Sequence, residues 1–443
     1  MNRIVLIGNG FDLAHSLPTK YEDFINWYWD CWLRNLMICH HRTLSDGLCT
    51  FSIKVGQGQD TWHSLIWQFG YTLNAPKGVD FVNALIADKD KYDVSQSILL
   101  NRICKSIQDK NWVDIENEYY TLLKESISNP KIGYSPLELN SQLQQILHLL
   151  TQYLSVLNLN GFSCNDSISQ IISEPIKLED IAVSSYHSFY DHCNYWANQD
   201  RYTLYKQLKA DDALSEQALA IRADVDKFLE NAVAKYPDGS SLVTDIAKIP
   251  RQLLRPINTM LLSFNYTQIT DCYAQIYRLY VNHIHGDLTN PKNMIFGYGD
   301  ELDESYKEFL RNNDNEYLKN IKSIRYLESP NYRDMLQFIE SAPYQVYIMG
   351  HSCGNSDRTL LNTLFEHRNC VSIKPYYHKK EDGSDNYMEI VQNICRNFTD
   401  MKLMRDRVVN KTLCEPLPQT NYNGTPDKLS KTAEVNKLST EEL

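Results

Sequence analysis

The sequence predicts an α/β fold: a Rossmann-like parallel sheet interrupted by a large α-helical insertion. Three observations carry this. An apolar β-branched run, Ile4-Val5-Leu6-Ile7, stops at Gly8-Asn9-Gly10. Five further short apolar runs, each ending in Gly, Asn, His or Ser, lie between Thr259 and His378. Between the two sets stand about 230 residues with helical periodicity and no convincing strand.

The first run is short, β-branched and bounded by glycine, so it reads as a strand buried on both faces, as in a parallel sheet. Gly8 and Gly10 let the chain turn sharply and bring amide N–H groups near a phosphate, with the next helix N-terminus adding partial positive charge. A side chain at Gly10 would fill that space, so Gly10→Val is expected to abolish nucleotide binding and leave the fold intact. The three-glycine dinucleotide fingerprint is incomplete, because Leu13 stands where the third glycine belongs. A lone Gly-x-Gly also fits an ordinary turn.

From about residue 21 to 254 the apolar residues recur at three- and four-residue intervals, as in Ser141–Leu159 and Asp211–Tyr236, which predicts a helical block. Within it, Asn111–Tyr120 reads as an amphipathic helix burying Trp112, Ile115 and Tyr119. Asp114 and Glu116, two apart, point to different helix faces. After Thr259 the runs TMLLSFNYT, YVNHIHGDL, MIFGYG, YQVYIMGHSCGNSD and CVSIKPYYH restore the strand texture. The expected organisation is one sheet domain from 1–20 and 255–400, a helical insertion at 21–254, and a polar, loose tail from about 406 to 443.

Parallel strands deliver their carboxyl ends to one edge of the sheet, so Asn265, His285, Gly350 and Ser352 are expected at one site. Asn265 offers a donor and an acceptor, and His285 exchanges a proton near neutral pH. His283 and His285 would share a strand face, and His285 is favoured because it precedes a glycine at the strand end. Asp357 is expected to cap the helix that follows it. Taken singly, each is equally an ordinary turn or cap residue.

Composition limits the function. The chain has 443 residues, 43% hydrophobic and 22% charged, with a net charge of −11 that argues against broad nucleic-acid binding. It has no stretch apolar enough to span a membrane and no secretory pattern, so no membrane partner and a cytoplasmic location are expected. The 11 cysteines include no Cys-x-x-Cys pair and read as reduced thiols, and no metal is expected.

The segments IVLIGNGFDLAHSLPTKYEDFI, NWVDIENEYY, LSFNYT, HIHGDL, IFGYG and IMGHSCGNSD resemble the AbiH family of bacteriophage abortive-infection proteins over residues 1 to about 380. That resemblance implies anti-phage defence by cell sacrifice, and it raises Glu116 as a lid residue. More distantly, the series of glycine loop, Asn strand end, His-Gly and Gly-x-Ser resembles the sirtuin-like NAD-binding fold. This implies that Gly8 and Gly10 face the pyrophosphate and that Gly350 and Ser352 contact the adenosine side. Asn9, Phe11, Asp12, His351 and Asp357 complete the expected nucleotide-binding set, although Gly-Asn-Gly followed by Phe11-Asp12 departs from the usual Gly-Ala-Gly loop. Asn265 would hold a water and the ribose, and His285 would act as the base. Thr267 departs from the acidic residue expected there, and the sirtuin zinc module is absent.

The expected ligand is therefore NAD or a related nucleotide, either hydrolysed at the nicotinamide–ribose bond or sensed without chemistry. A third alternative is a metal-dependent nuclease or hydrolase using Asp12, Asp114 and Glu116. Expected partners are the nucleotide, a phage trigger of unspecified identity, and a second copy of the chain in a homo-oligomer.

Overall fold

The computed structural model describes residues 1–54, 62, 78–110, 113–129, 132–157, 164–196, 216–235, 249–277 and 279–420. Among these, the strands in chain order are β1 (Asn2–Ile7), β2 (Thr43–Ser45), β3 (Cys49–Ile53), β4 (Tyr92–Gln96), β5 (Thr259–Ser263), β6 (Tyr280–His283), β7 (Tyr344–Met349) and β8 (Cys370–Tyr376). Five of them form a parallel sheet in the order β6-β5-β1-β7-β8. After β1 the chain lays β5 and β6 on one side, then crosses to lay β7 and β8 on the other. The strand order therefore reverses between β1 and β7, which is where open α/β sheets hold their ligands.

β1, β7 and β8 are buried at every position, as their near-continuous apolar sequences require, while the edge strand β6 is partly exposed. The charge inside β1 is accommodated by partners. The Arg3 guanidinium donates to the Ile172 and Glu174 carbonyls at 2.8 Å and lies 4.3 Å from the centre of the Tyr347 ring. In β8, Lys374 pairs with the buried Asp180 at 2.9 Å. Ile168 and Ile172, from helix Asp166–Ser173, pack directly on Val5, Ile7 and Leu261.

Three sequence expectations are corrected. MIFGYG is not a strand: the Ile295 amide donates to the His285 carbonyl and the Gly297 amide to Glu116, so this run spends its hydrogen bonds on loop partners instead of a ladder. The block from 21 to 254 is not wholly helical, since β2, β3 and β4 make an antiparallel sheet. Its strands are three to five residues long, too short for alternation to stand out in helical surroundings. The stretch read as a tail from 406 packs on the domain as far as Leu417, which is buried and donates its amide to the Tyr377 carbonyl. Trp112 and residues 421–443 lie outside the described residues; Ile115 and Tyr119 are fully buried. Among the described residues, no helix is long and apolar enough to cross a membrane.

At the switch point the turns after β1 and β7 touch backbone to backbone. A Cβ on Gly8 would lie 2.5 Å from His351 Cα, and one on Gly10 would lie 2.8 Å from Gly350 Cα. Gly350 has φ +76°, and its Cβ would meet the Phe11 nitrogen at 2.0 Å. This overturns the expectation that Gly10→Val spares the fold, because the added side chain meets protein backbone. Gly10→Val and Gly350→Ala should each cost at least about 2 kcal/mol of stability, read from urea unfolding. An unchanged midpoint in either variant would contradict this contact.

Candidate functional site

The carboxyl ends of β1, β5, β6 and β7 open into one cavity of about 660 Å³, within the range of small-molecule sites. Gly8, Asn9, Gly10 and Asp12 line it from the turn after β1, Asn265 and Thr267 from β5, and His285 from β6. Gly350, His351, Ser352 and Asp357 line it after β7. Lys20, Tyr21, Glu22, Asp114 and Glu116 close it from the insertion side. Phe11 is the exception among the residues singled out in the sequence: its ring packs into the sheet core with Val5, Ile7 and Tyr273.

Asn265 is oriented by its neighbours. Its Nδ2 donates to the Gly8 carbonyl at 3.0 Å and to Asp12 Oδ1 at 2.7 Å, while Thr267 Oγ1 donates to Asp12 Oδ2 at 2.7 Å. Both amide hydrogens are thereby engaged, leaving Asn265 Oδ1 without a partner among the described residues. Thr267, which looked like a departure in the sequence, anchors Asp12. Burial pushes the Asp12 carboxyl up to about 7 against the opposing bonds from Thr267 and Asn265.

The glycine turn does not aim its donors as the sequence suggested. The Gly8 amide donates to the Met349 carbonyl and the Gly10 amide to the Gly350 carbonyl at 2.8 Å. Both serve the contact between the two turns.

His285 belongs to a buried polar chain. Its Nε2 lies 3.3 Å from Asp357 Oδ1 and 3.3 Å from the Tyr326 hydroxyl. Asp357 Oδ1 also accepts from Lys322 Nζ at 2.8 Å, and the same ammonium donates to Glu116 Oε2 at 2.8 Å. His351 Nδ1 accepts the Cys353 amide, which leaves its Nε2–H facing Asp357 Oδ2 at 3.5 Å. Asp357 thus stands at the start of helix Arg358–Glu366 without capping it through its side chain, contrary to expectation. Its carboxylate is turned instead to the Lys322 ammonium and the two histidines.

Burial pushes His285 down to about 4, helped by the Lys322 ammonium and opposed by Asp357, so the imidazole is neutral and its contact with Asp357 is a hydrogen bond. Burial alone would raise Asp357, yet Lys322 and His285 hold it well below the usual carboxylate range. Glu116 shares the ammonium and is pushed up by burial to about 8. His283, the last residue of β6, faces elsewhere and pairs with Asp271 at 3.0 Å, while His285 lies beyond the strand end.

Lys322 was not legible as a site residue. It is fully buried, but nothing in its local sequence, LKNIKSIR, marks it off from an exposed helix lysine. Glu116 does reach the cavity, from the first turn of helix Ile115–Ser128, whose N-cap is Asp114 accepting the Asn117 amide.

A family model described as bacteriophage abortive infection AbiH matches residues 4–378. The chain belongs to the AbiH family. The match runs from β1 past the end of β8 and contains every cavity residue discussed above. AbiH membership supports an anti-phage abortive-infection role. No curated protein and no solved structure matches the chain.

Removing the ammonium at the centre of this AbiH site leaves two buried carboxyl groups without their shared cation. Lys322→Met should therefore lose at least about 3 kcal/mol of stability in urea unfolding. Glu116→Gln should lose clearly less, because an amide oxygen can still accept from Lys322. Equal losses, or none in Lys322→Met, would show that the ammonium is not the organising charge.

Proposed function

We propose that the cavity binds NAD or a related nicotinamide nucleotide and that the protein hydrolyses its nicotinamide–ribose bond during phage infection. One observation carries this reading. Asn265 Oδ1 and His285 Nδ1, on cavity-lining residues that follow adjacent strands at the switch point, have no protein partner among the described residues.

The chemistry follows from their state. With Nε2–H given to Asp357, His285 offers the Nδ1 lone pair. Asn265 Oδ1 accepts a hydrogen from a ribose hydroxyl or a water. The C1′–N bond breaks with its electron pair going to the pyridinium nitrogen, water bonds to C1′, and the water proton passes to His285 Nδ1 and then to solvent. A base held near 4 is weak, but an oxocarbenium-like sugar is reactive enough that water needs orientation more than deprotonation. The Asp357 carboxylate beside the ring stabilises the imidazolium as it forms.

A second reading, a nucleotide sensor without chemistry, is favoured by the Glu116–Lys322–Asp357 chain, which ties the cavity to an insertion helix and offers a route by which occupancy is felt there. The metal-dependent hydrolase has less support, because each of its carboxyl groups is already engaged: Asp12 by Asn265 and Thr267, Asp114 as a helix N-cap, and Glu116 by Lys322.

Purified protein incubated with NAD, with and without phage components, should release nicotinamide detectable by chromatography. His285→Ala and Asn265→Ala should each lower turnover at least about 100-fold and lose protection from phage. If both variants lose protection while the parent turns over no NAD, the sensor reading replaces hydrolysis. Since neutral His285 is the active form, turnover should persist as pH falls and drop only near about 4, the folded value of the imidazole. A fall centred on the ordinary histidine range near about 6.5 would exclude His285 as the base.

A further inference from the structure

Resting on that N-ribosyl reading, we infer that the cavity selects a ribosyl pyridinium cation carrying little or no phosphate, of the nicotinamide riboside class, ahead of the intact dinucleotide. The charges around the cavity are the first ground. Among the described residues its lining includes the carboxyl groups of Asp12, Glu22, Asp114, Glu116, Asp357 and Glu389, against Lys20 as the one lysine or arginine. Lys322, behind the wall, pairs with both Asp357 and Glu116. Glu22, Asp114 and Glu389 still outnumber Lys20. The hydroxyls of Tyr21, Tyr266 and Tyr326 are held up by burial first, and then by the negative field of Glu116 and Asp357.

The second ground is hydrogen-bond polarity. Asn265 Oδ1 and His285 Nδ1, two groups without a partner among the described residues and on side chains about nine-tenths buried, are both acceptors. They match ribose hydroxyls and a water. Phosphate oxygens at neutral pH are chiefly acceptors and would face them unmatched. The amides of Gly8 and Gly10, which a pyrophosphate would require, already donate to the turn after β7.

The reaction agrees with the charge pattern. A cationic pyridinium and an oxocarbenium-like sugar are both drawn to a negative wall, and breaking the C1′–N bond makes nicotinamide neutral, which loosens its hold on that wall.

The test compares nicotinamide riboside, nicotinamide mononucleotide and NAD on the full chain, with phage components present if turnover needs them. kcat/KM should fall in that order, with at least a tenfold span at low salt. Raising salt from about 50 to about 300 mM should raise KM for the riboside and lower it for NAD, because screening weakens attraction in one case and repulsion in the other. Glu22→Gln with Glu389→Gln, both exposed and harmless to the core, should narrow the span. NAD equal to or better than the riboside, or a span that neither salt nor these substitutions move, would overturn the inference. If no substrate is cleaved under either condition, the hydrolysis reading has failed, and calorimetry decides the ligand class alone. Tighter binding of the riboside than of NAD supports it; tighter binding of NAD, or no binding of the riboside at millimolar concentration, overturns it.

Discussion

The contact between the turns after β1 and β7 is the constraint on which the site depends. Gly8, Gly10 and Gly350 bring two backbones closer than any side chain permits. That approach locks the turns at the point where strand order reverses, and so defines the floor of the cavity. It also fixes the Gly8 carbonyl, which accepts Asn265 Nδ2 as well as the Phe11 amide. The orientation of Asn265 is thus an indirect product of a glycine contact made by other strands. The same contact takes up the amide donors of Gly8 and Gly10, which is why a loop that looks built for phosphate faces the cavity mainly through Asn9 and Asp12.

A second constraint works from the opposite wall. Lys322 holds a carboxylate from the insertion and one from the sheet domain with a single ammonium. A buried charge is stable only with partners, so Glu116 and Asp357 must stay within reach of Lys322. His285 answers to this arrangement, being neutral because it is buried beside an ammonium and oriented because it is hydrogen-bonded to the carboxylate next to it. The shared core strengthens the link, since Phe24, Trp32 and Leu143 of the insertion belong to the same cluster as Phe296 and Phe309.

Together these constraints give the cavity several carboxyl groups and the acceptors of Asn265 and His285, while the Gly8 and Gly10 amides are spent on the turn contact. That polarity bears on chemistry more directly than the fold does, because parallel sheets with a glycine turn serve many activities. Membership of the AbiH family sets the biological setting as defence against phage, and the arrangement of Asn265, His285 and Asp357 is what bears on the reaction.

The sequence by itself determined the strand types and their carboxyl-end residues. Apolar β-branched runs ending in Gly, Asn or His can be read locally, because a strand buried on both faces leaves no alternation and a glycine turn leaves a visible stop. The glycine stop likewise singled out His285, which directly precedes Gly286, over His283. Only the tertiary structure decided what those residues do. The run MIFGYG has strand composition, but its amides pair with His285 and Glu116. Asp357 has the position of a cap, but a lysine 35 residues earlier claims its carboxylate. Thr267 looks like a lost acid, but it anchors Asp12. In each case the deciding partner is distant in sequence, and its effect on charge or hydrogen bonding arises only when folding removes water from between the two groups, which no local pattern records.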